Sequence, residues 1–91
     1  MIDIVYTVCS SIEEARMIGE NLIRNKYCAC VNIIPEMESI YWWEGSFEES
    51  QEVQITIKTK PELLHHLIVT IKNKHTYEVP QIICLSASSS K

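Results

Sequence analysis

Cys28 and Cys30, separated by the single residue Ala29, put two thiols on one face of an extended segment. Thiolates suit Cu(I) or zinc. Structural zinc pairs, however, leave about two to four residues between ligands, and a second pair is lacking. These cysteines read as small hydrophobes packed in a core, and so do Cys9 and Cys84. His65 and His66 are adjacent in a helical pattern, so their rings diverge by about 100° and chelate poorly. Glu44, Glu48, Glu49 and Glu52 crowd one segment. Oxygen ligands attract hard cations, but such a run more often keeps a ribbon soluble. The spacing yields no nucleophile elbow, and Gly19 and Gly45 are the only glycines, too few for a phosphate-cradling loop. No Cys/His/carboxylate triad assembles from spacing, and the chain reads as non-enzymatic.

The elements that must position these groups follow from periodicity. Residues 2–9 are rich in β-branched side chains and read as a strand, with Ile2, Ile4, Tyr6 and Val8 on one face. Ser11 and Glu14 form a capping box for a helix of about 13–15 residues, whose inner stripe is Ala15, Ile18, Gly19, Leu22 and Ile23. A second strand covers 28–34. Pro35 marks a bulge or an edge, and the strand resumes from Ser39 to Trp43. Glu44-Gly45-Ser46 is a turn, and Val53, Ile55 and Ile57 alternate on the return strand. Thr59 and Glu62 form a second capping box, with Pro61 in the first turn. Leu64, Leu67, Ile68 and Ile71 are the buried stripe of that helix. Residues 75–80 form a polar connection, 81–85 a last strand, and 86–91 a flexible serine-rich tail after a single domain over 1–85.

The β-α-β-β-α-β order predicts an α+β, ferredoxin-like antiparallel sheet with both helices on one face. Each arm of the central hairpin runs about 14 residues, roughly 45 Å. A globule of this length is only about 30 Å across. The hairpin therefore bends at Pro35 and overhangs the domain. Its tip carries Ile40, Tyr41 and the only two tryptophans, Trp42 and Trp43, on opposite faces. A lone ribbon with these side chains invites aggregation, so a partner subunit is expected to cover them.

Bulk properties agree. A chain of 91 residues is one small domain that gains from association. Eight basic against twelve acidic side chains give a net charge of −4, which disfavours nucleic-acid binding. An RNA-recognition surface would also need an aromatic, basic segment that is missing. No run is long and apolar enough to span a membrane, and Met1-Ile2-Asp3-Ile4 lacks the features of a signal peptide, which predicts a cytoplasmic protein with free thiols.

Several blocks together carry a family resemblance: Ala29-Cys30-Val31-Asn32-Ile33-Ile34-Pro35, Ser39-Ile40-Tyr41-Trp42-Trp43-Glu44-Gly45, Glu52-Val53, Ile57-Lys58-Thr59 and His75-Thr76-Tyr77-Glu78-Val79-Pro80. The chain resembles the CutA divalent-cation tolerance family over nearly its whole length. The resemblance implies a homotrimer whose hairpins pair across subunits, with Ile40, Trp42 and Trp43 at the interface. It also implies a role in tolerance of copper and other divalent cations, with copper or another divalent cation as ligand. The assembly is similar to that of PII signalling proteins. The alternative reading is thus a PII-like regulator that binds a small metabolite or a partner protein in an intersubunit cleft formed by Tyr41, Trp43, Tyr77 and Glu78. His75 stands where family members carry a ligand-capable histidine. Copper-binding members also use a first-strand Cys and a second His, whose positions here hold Thr7 and Lys74. That leaves Cys9, on the same strand face as Thr7, as the substitute ligand beside His75. The family usually has Pro at the position of Thr76, often Glu at that of Gln81, and continues past the last strand with a further strand and a short helix.

Overall fold

A computed structural model describes residues 1–77 and 80–88. The Glu78 expectation lies outside them. The elements are β1 (Ile2–Cys9), α1 (Ile12–Arg24), β2 (Cys30–Trp43), β3 (Ser46–Thr59), a 3-10 turn (Pro61–Leu63), α2 (Leu64–Lys74) and β4 (Ile82–Ala87). They build one antiparallel sheet in the order β2-β3-β1-β4. This is the expected ferredoxin-like topology. Strand β4 runs two residues into the stretch read as tail, pairing Asp3 with Ser86 and Ile2 with Ala87.

The core lies between one sheet face and the two helices. Val5, Cys9, Ile55, Ile57, Ile18, Leu22, Leu67 and Ile71 are fully buried there. In α1, Ile23 lies at the border of the buried stripe and is largely exposed, a departure from the expected inner face. Gly19 matters for a close approach. A Cβ there would stand 3.1 Å from Val31 Cγ1, so its absence lets α1 settle on β2.

In β1 the core-facing residues are Asp3, Val5, Thr7 and Cys9. The more apolar row, Ile2, Ile4, Tyr6 and Val8, faces the side of the sheet that carries no helix. Asp3 is tolerated in the core because Ser86 Oγ donates to its carboxylate at 3.1 Å. Cys84, expected in the core, is exposed near the sheet edge.

The hairpin is continuous through Pro35. Ile34 pairs with Gln54 and Met37 with Glu52, so Pro35 and Glu36 together oppose Val53 in a β-bulge. Glu36 takes a φ of 58° there. One extra residue flips the phase of the strand. Val31 and Ile33 face the helices, but beyond the bulge Met37, Ser39, Tyr41 and Trp43 face the open side. Ile40 and Trp42 take the other face, where Trp42 meets Phe47 edge-on with centroids 6.1 Å apart. Glu44 (φ 51°) and Gly45 (φ 80°) form the two-residue turn, both in the left-handed region that a type I′ hairpin requires. The molecule measures 43 × 25 × 21 Å, its long axis close to the length of one arm.

The second capping box does not form. Thr59 is the last residue of β3, and its hydroxyl donates to the Tyr27 carbonyl at 2.6 Å, tying down the segment after α1. Lys60 takes the cap position without a side-chain bond, and Pro61 starts a 3-10 turn instead.

Candidate functional site

Where β1 ends, a buried polar cluster joins α1 to the segment after α2. Ser11 Oγ accepts from the Glu14 amide at 3.1 Å, which is the capping half of the expected box. The other half is diverted. Glu14 Oε1 accepts from the Ser10 amide at 3.0 Å and from the Ser10 hydroxyl at 3.2 Å, while Oε2 accepts from the Thr76 amide at 2.6 Å. Burial works to raise the Glu14 pKa. The hydrogen bonds from Thr76 and Ser10, with the nearby His75, outweigh it and hold the carboxyl below its usual range.

His75 was expected in a polar connection, yet its side chain is completely buried. Ring Nε2 lies 2.6 Å from the Val8 carbonyl oxygen, and Nδ1 accepts from the Tyr77 amide at 3.0 Å. An acceptor at Nδ1 requires the proton on Nε2, which donates to Val8. The Glu14 carboxylate then approaches Nδ1 at 3.8 Å without a shared proton.

His75 and Cys9, the ligands expected from sequence, both lie in this region of the fold. A metal needs an imidazole lone pair, and the one at Nδ1 is taken. Cys9 is fully buried, and burial, then Glu14 and Glu52, push its thiol up to about 12. Among the described residues no group of three His, Cys, Asp or Glu side chains is disposed to hold a metal ion. As arranged, both ring nitrogens of His75 are engaged in hydrogen bonds, and Cys9 lies buried in the core. Thr7 Oγ1 is buried without a hydrogen-bond partner.

The open face of the sheet forms a cleft of about 1260 Å³ between the hairpin and the Tyr77 segment. Tyr41, Trp43 and Tyr77, expected to meet in a cleft between subunits, line it. Here one chain brings them together. Sequence reasoning grouped Glu52 with the carboxylates of the hairpin tip and did not place it beside Tyr77. Tyr77 Oη donates to Glu52 Oε2 at 2.7 Å, linking the segment after α2 to the hairpin. Burial, reinforced by this bond to a carboxylate, raises the Tyr77 pKa. Phe47 was missed. Counting outward from the Glu44-Gly45 turn pairs Trp43 with Ser46 and Trp42 with Phe47, a signal present in the sequence.

Large apolar side chains remain uncovered. Trp42 is 74% exposed, Trp43 63%, Ile40 65% and Leu85 50%. Trp43 and Leu85 lie on the open face, whereas Ile40 and Trp42 lie on the helix-side face of the overhang. Of the other histidines, His66 stacks on Tyr27 at 5.5 Å and His65 is exposed.

An antiparallel split-βαβ sheet with helices on one face and a long, bulged, aromatic-tipped hairpin defines a ferredoxin-like protein with an extended arm. The chain belongs to the CutA1 divalent ion tolerance protein family, whose model matches residues 3–91. It is 40% identical over 80 residues to the divalent-cation tolerance protein CutA of Pyrococcus horikoshii, covering 88% of this chain and 78% of that one. It is 39% identical over 82 residues to the chloroplastic protein CutA 1 of rice, covering 90% of this chain and 46% of the relative. The chain thus spans about half the length of the plant and vertebrate relatives it matches. The structure of the Thermus thermophilus divalent cation tolerance protein superposes with a TM-score of 0.93 at 35% identity, covering all of this chain and 88% of the other. That of CutA1 from rice gives 0.94 at 36% identity, covering 99% and 83%. Among the described residues no helix is long and apolar enough to cross a membrane.

Proposed function

We propose that the chain works as a non-enzymatic homotrimer in the cytoplasmic response to divalent cations, copper among them. The observation that carries the assembly is the uncovered apolar surface: the open sheet face from Ile4 to Leu85, together with the Ile40 and Trp42 face of the overhang. A small domain gains most from burying such area, at about 25 cal/mol per Å². The cation role rests on membership of a family named for divalent ion tolerance. Copper held by His75 and Cys9 would require His75 to give up a hydrogen bond and Cys9 to lose a proton in the core. Calorimetry with Cu²⁺ on the wild type and His75→Ala tests that ligation. Loss of binding in the variant supports it; equal binding removes His75 from the site. Light scattering coupled to size-exclusion chromatography tests the trimer.

A second reading is favoured by the cleft itself. An aromatic concavity with a carboxylate at its base suits a small ligand, as the PII-like alternative requires.

A further inference from the structure

Strand β2 forms one edge of the sheet and pairs only with β3. Among the described residues no strand lies along its outer side, so the outward N–H and C=O groups of residues 30–34 are free to pair. Sheet edges are usually guarded by lysine, proline or a bulge. This stretch has neither lysine nor proline, and the guard comes only at Pro35, where the bulge begins. Five residues of edge are left open to a further strand.

Helix α1 runs beside this edge, and between them lies a groove of about 380 Å³. Gly19, Ile23, Val31 and Ile33 give it an apolar floor, and Arg16 and Arg24 stand along it. The missing Cβ of Gly19 lets the helix close on Val31, yet Ile23 stays 43% exposed, an apolar side chain that the single chain does not cover. The two arginines are the only ones in the sequence, and both line this one groove in a chain of net charge −4. Eight helical residues separate them, about 12 Å. Residues four apart on one face of a strand are about 13 Å apart. Arg24 meets Glu20 only at 4.0 Å, with both side chains largely in water, so that pair is readily exchanged for another carboxylate. A guanidinium matches a carboxylate through two parallel hydrogen bonds.

The groove lies on the helix side of the sheet, before the bulge. The surfaces assigned to the assembly, the open face and the Ile40 and Trp42 face of the overhang, do not include it. An inorganic anion would use the arginines but neither the apolar floor nor the strand edge. A nucleic acid would need more than two cations. An extended acidic peptide uses all three features.

We infer that β2 accepts an added strand from an acidic partner protein, in which two carboxylates four residues apart flank one apolar side chain. Its backbone pairs with residues 30–34, its central side chain covers Ile23, and its carboxylates meet Arg16 and Arg24. The probe is a fluorescently labelled decapeptide with E-T-V-T-E at its centre, titrated into the full chain and followed by anisotropy. Saturable binding is expected, weakened about fivefold in each of Arg16→Gln and Arg24→Gln, the share of one exposed ion pair. Lys72→Gln removes the same charge from the exposed side of α2 and should leave binding unchanged. A peptide with K-T-V-T-K at its centre should not bind. In the complex the amides of residues 30–34 should exchange more slowly with deuterium. The inference is overturned if the acidic peptide fails to bind, if the lysine peptide binds equally well, if the three variants bind alike, or if residues 30–34 gain no protection. Light scattering on the Arg16→Gln/Arg24→Gln double variant should give the particle mass of the wild type. A smaller particle would make the groove a contact between copies of this chain and overturn the inference as well.

Discussion

The Thr76 amide donates to Glu14 Oε2 at 2.6 Å, joining the first turn of α1 to a residue 62 positions later. The same carboxylate holds the Ser10 amide and hydroxyl. One buried glutamate thereby fixes the end of β1, the start of α1 and the segment that carries His75 and Tyr77. Replacing it by glutamine sets an NH₂ group against one of those backbone donors. Glu14→Gln is expected to lower unfolding free energy by about 1–3 kcal/mol, the usual cost of a buried polar group left unpaired. Urea denaturation at neutral pH measures it, and an unchanged midpoint would contradict the role.

The same group sets a pH dependence. Its pKa is lowered in the folded chain, so its contribution is fully present above the unfolded glutamate value of about 4.3 and is lost as pH falls through the folded value. Stability should drop on acidification below about pH 4. In Glu14→Gln that part of the decline should vanish. Equal acid slopes for the two proteins in thermal melts would contradict the assignment.

Cys9 should be inert in the native protein. Its thiol is buried and pushed up to about 12, so little thiolate forms at neutral pH. Iodoacetamide followed by mass mapping should leave Cys9 unmodified in the folded chain and label it in urea. Native labelling of Cys9 ahead of the exposed Cys84 would contradict the placement.

The turn offers a stabilising change. Glu44 adopts a φ of 51°, a region that costs most residues with a Cβ about 1–2 kcal/mol. Asparagine tolerates it, and Asn-Gly is the preferred type I′ pair. Glu44→Asn should raise the melting temperature by a few degrees, worth about 0.5–1 kcal/mol. A lower melting temperature would contradict the turn type.

Much of this architecture was legible in the sequence. The β3 alternation of Val53, Ile55 and Ile57, the Leu67 and Ile71 stripe and the length of both hairpin arms follow directly from periodicity. Which face of β1 is the core did not. Ile2, Ile4, Tyr6 and Val8 are more apolar than Asp3 and Thr7, yet they face the open side, because this sheet is apolar on both faces. Asp3 is acceptable in the core only through Ser86, 83 residues away. The Ser11–Glu14 box was visible locally. Its diversion to Thr76, and the burial of His75, depend on contacts between residues that sequence spacing cannot place together. The Pro35 irregularity was also visible, but its phase flip depends on Glu36 adding a second residue opposite Val53. That flip puts Tyr41 and Trp43 over the cleft and hid the place of Glu52 beside them.

An apolar open face predicts a specific sensitivity. Leu85 is half exposed in the single chain and lies opposite Ile4. A charge there leaves the fold intact but would be buried in an assembly. Leu85→Glu should keep the circular dichroism spectrum of the wild type while dissociating the oligomer. A variant that stays fully associated would remove the open face from the interface.

The most direct test of the account is the mass of the wild-type particle in solution, measured by multi-angle light scattering across a size-exclusion peak. The account predicts a single species of three chain masses at micromolar concentration. A stable, monodisperse particle of one chain mass would contradict it, since the surface bearing Trp42, Trp43 and Leu85 would then face water unaided.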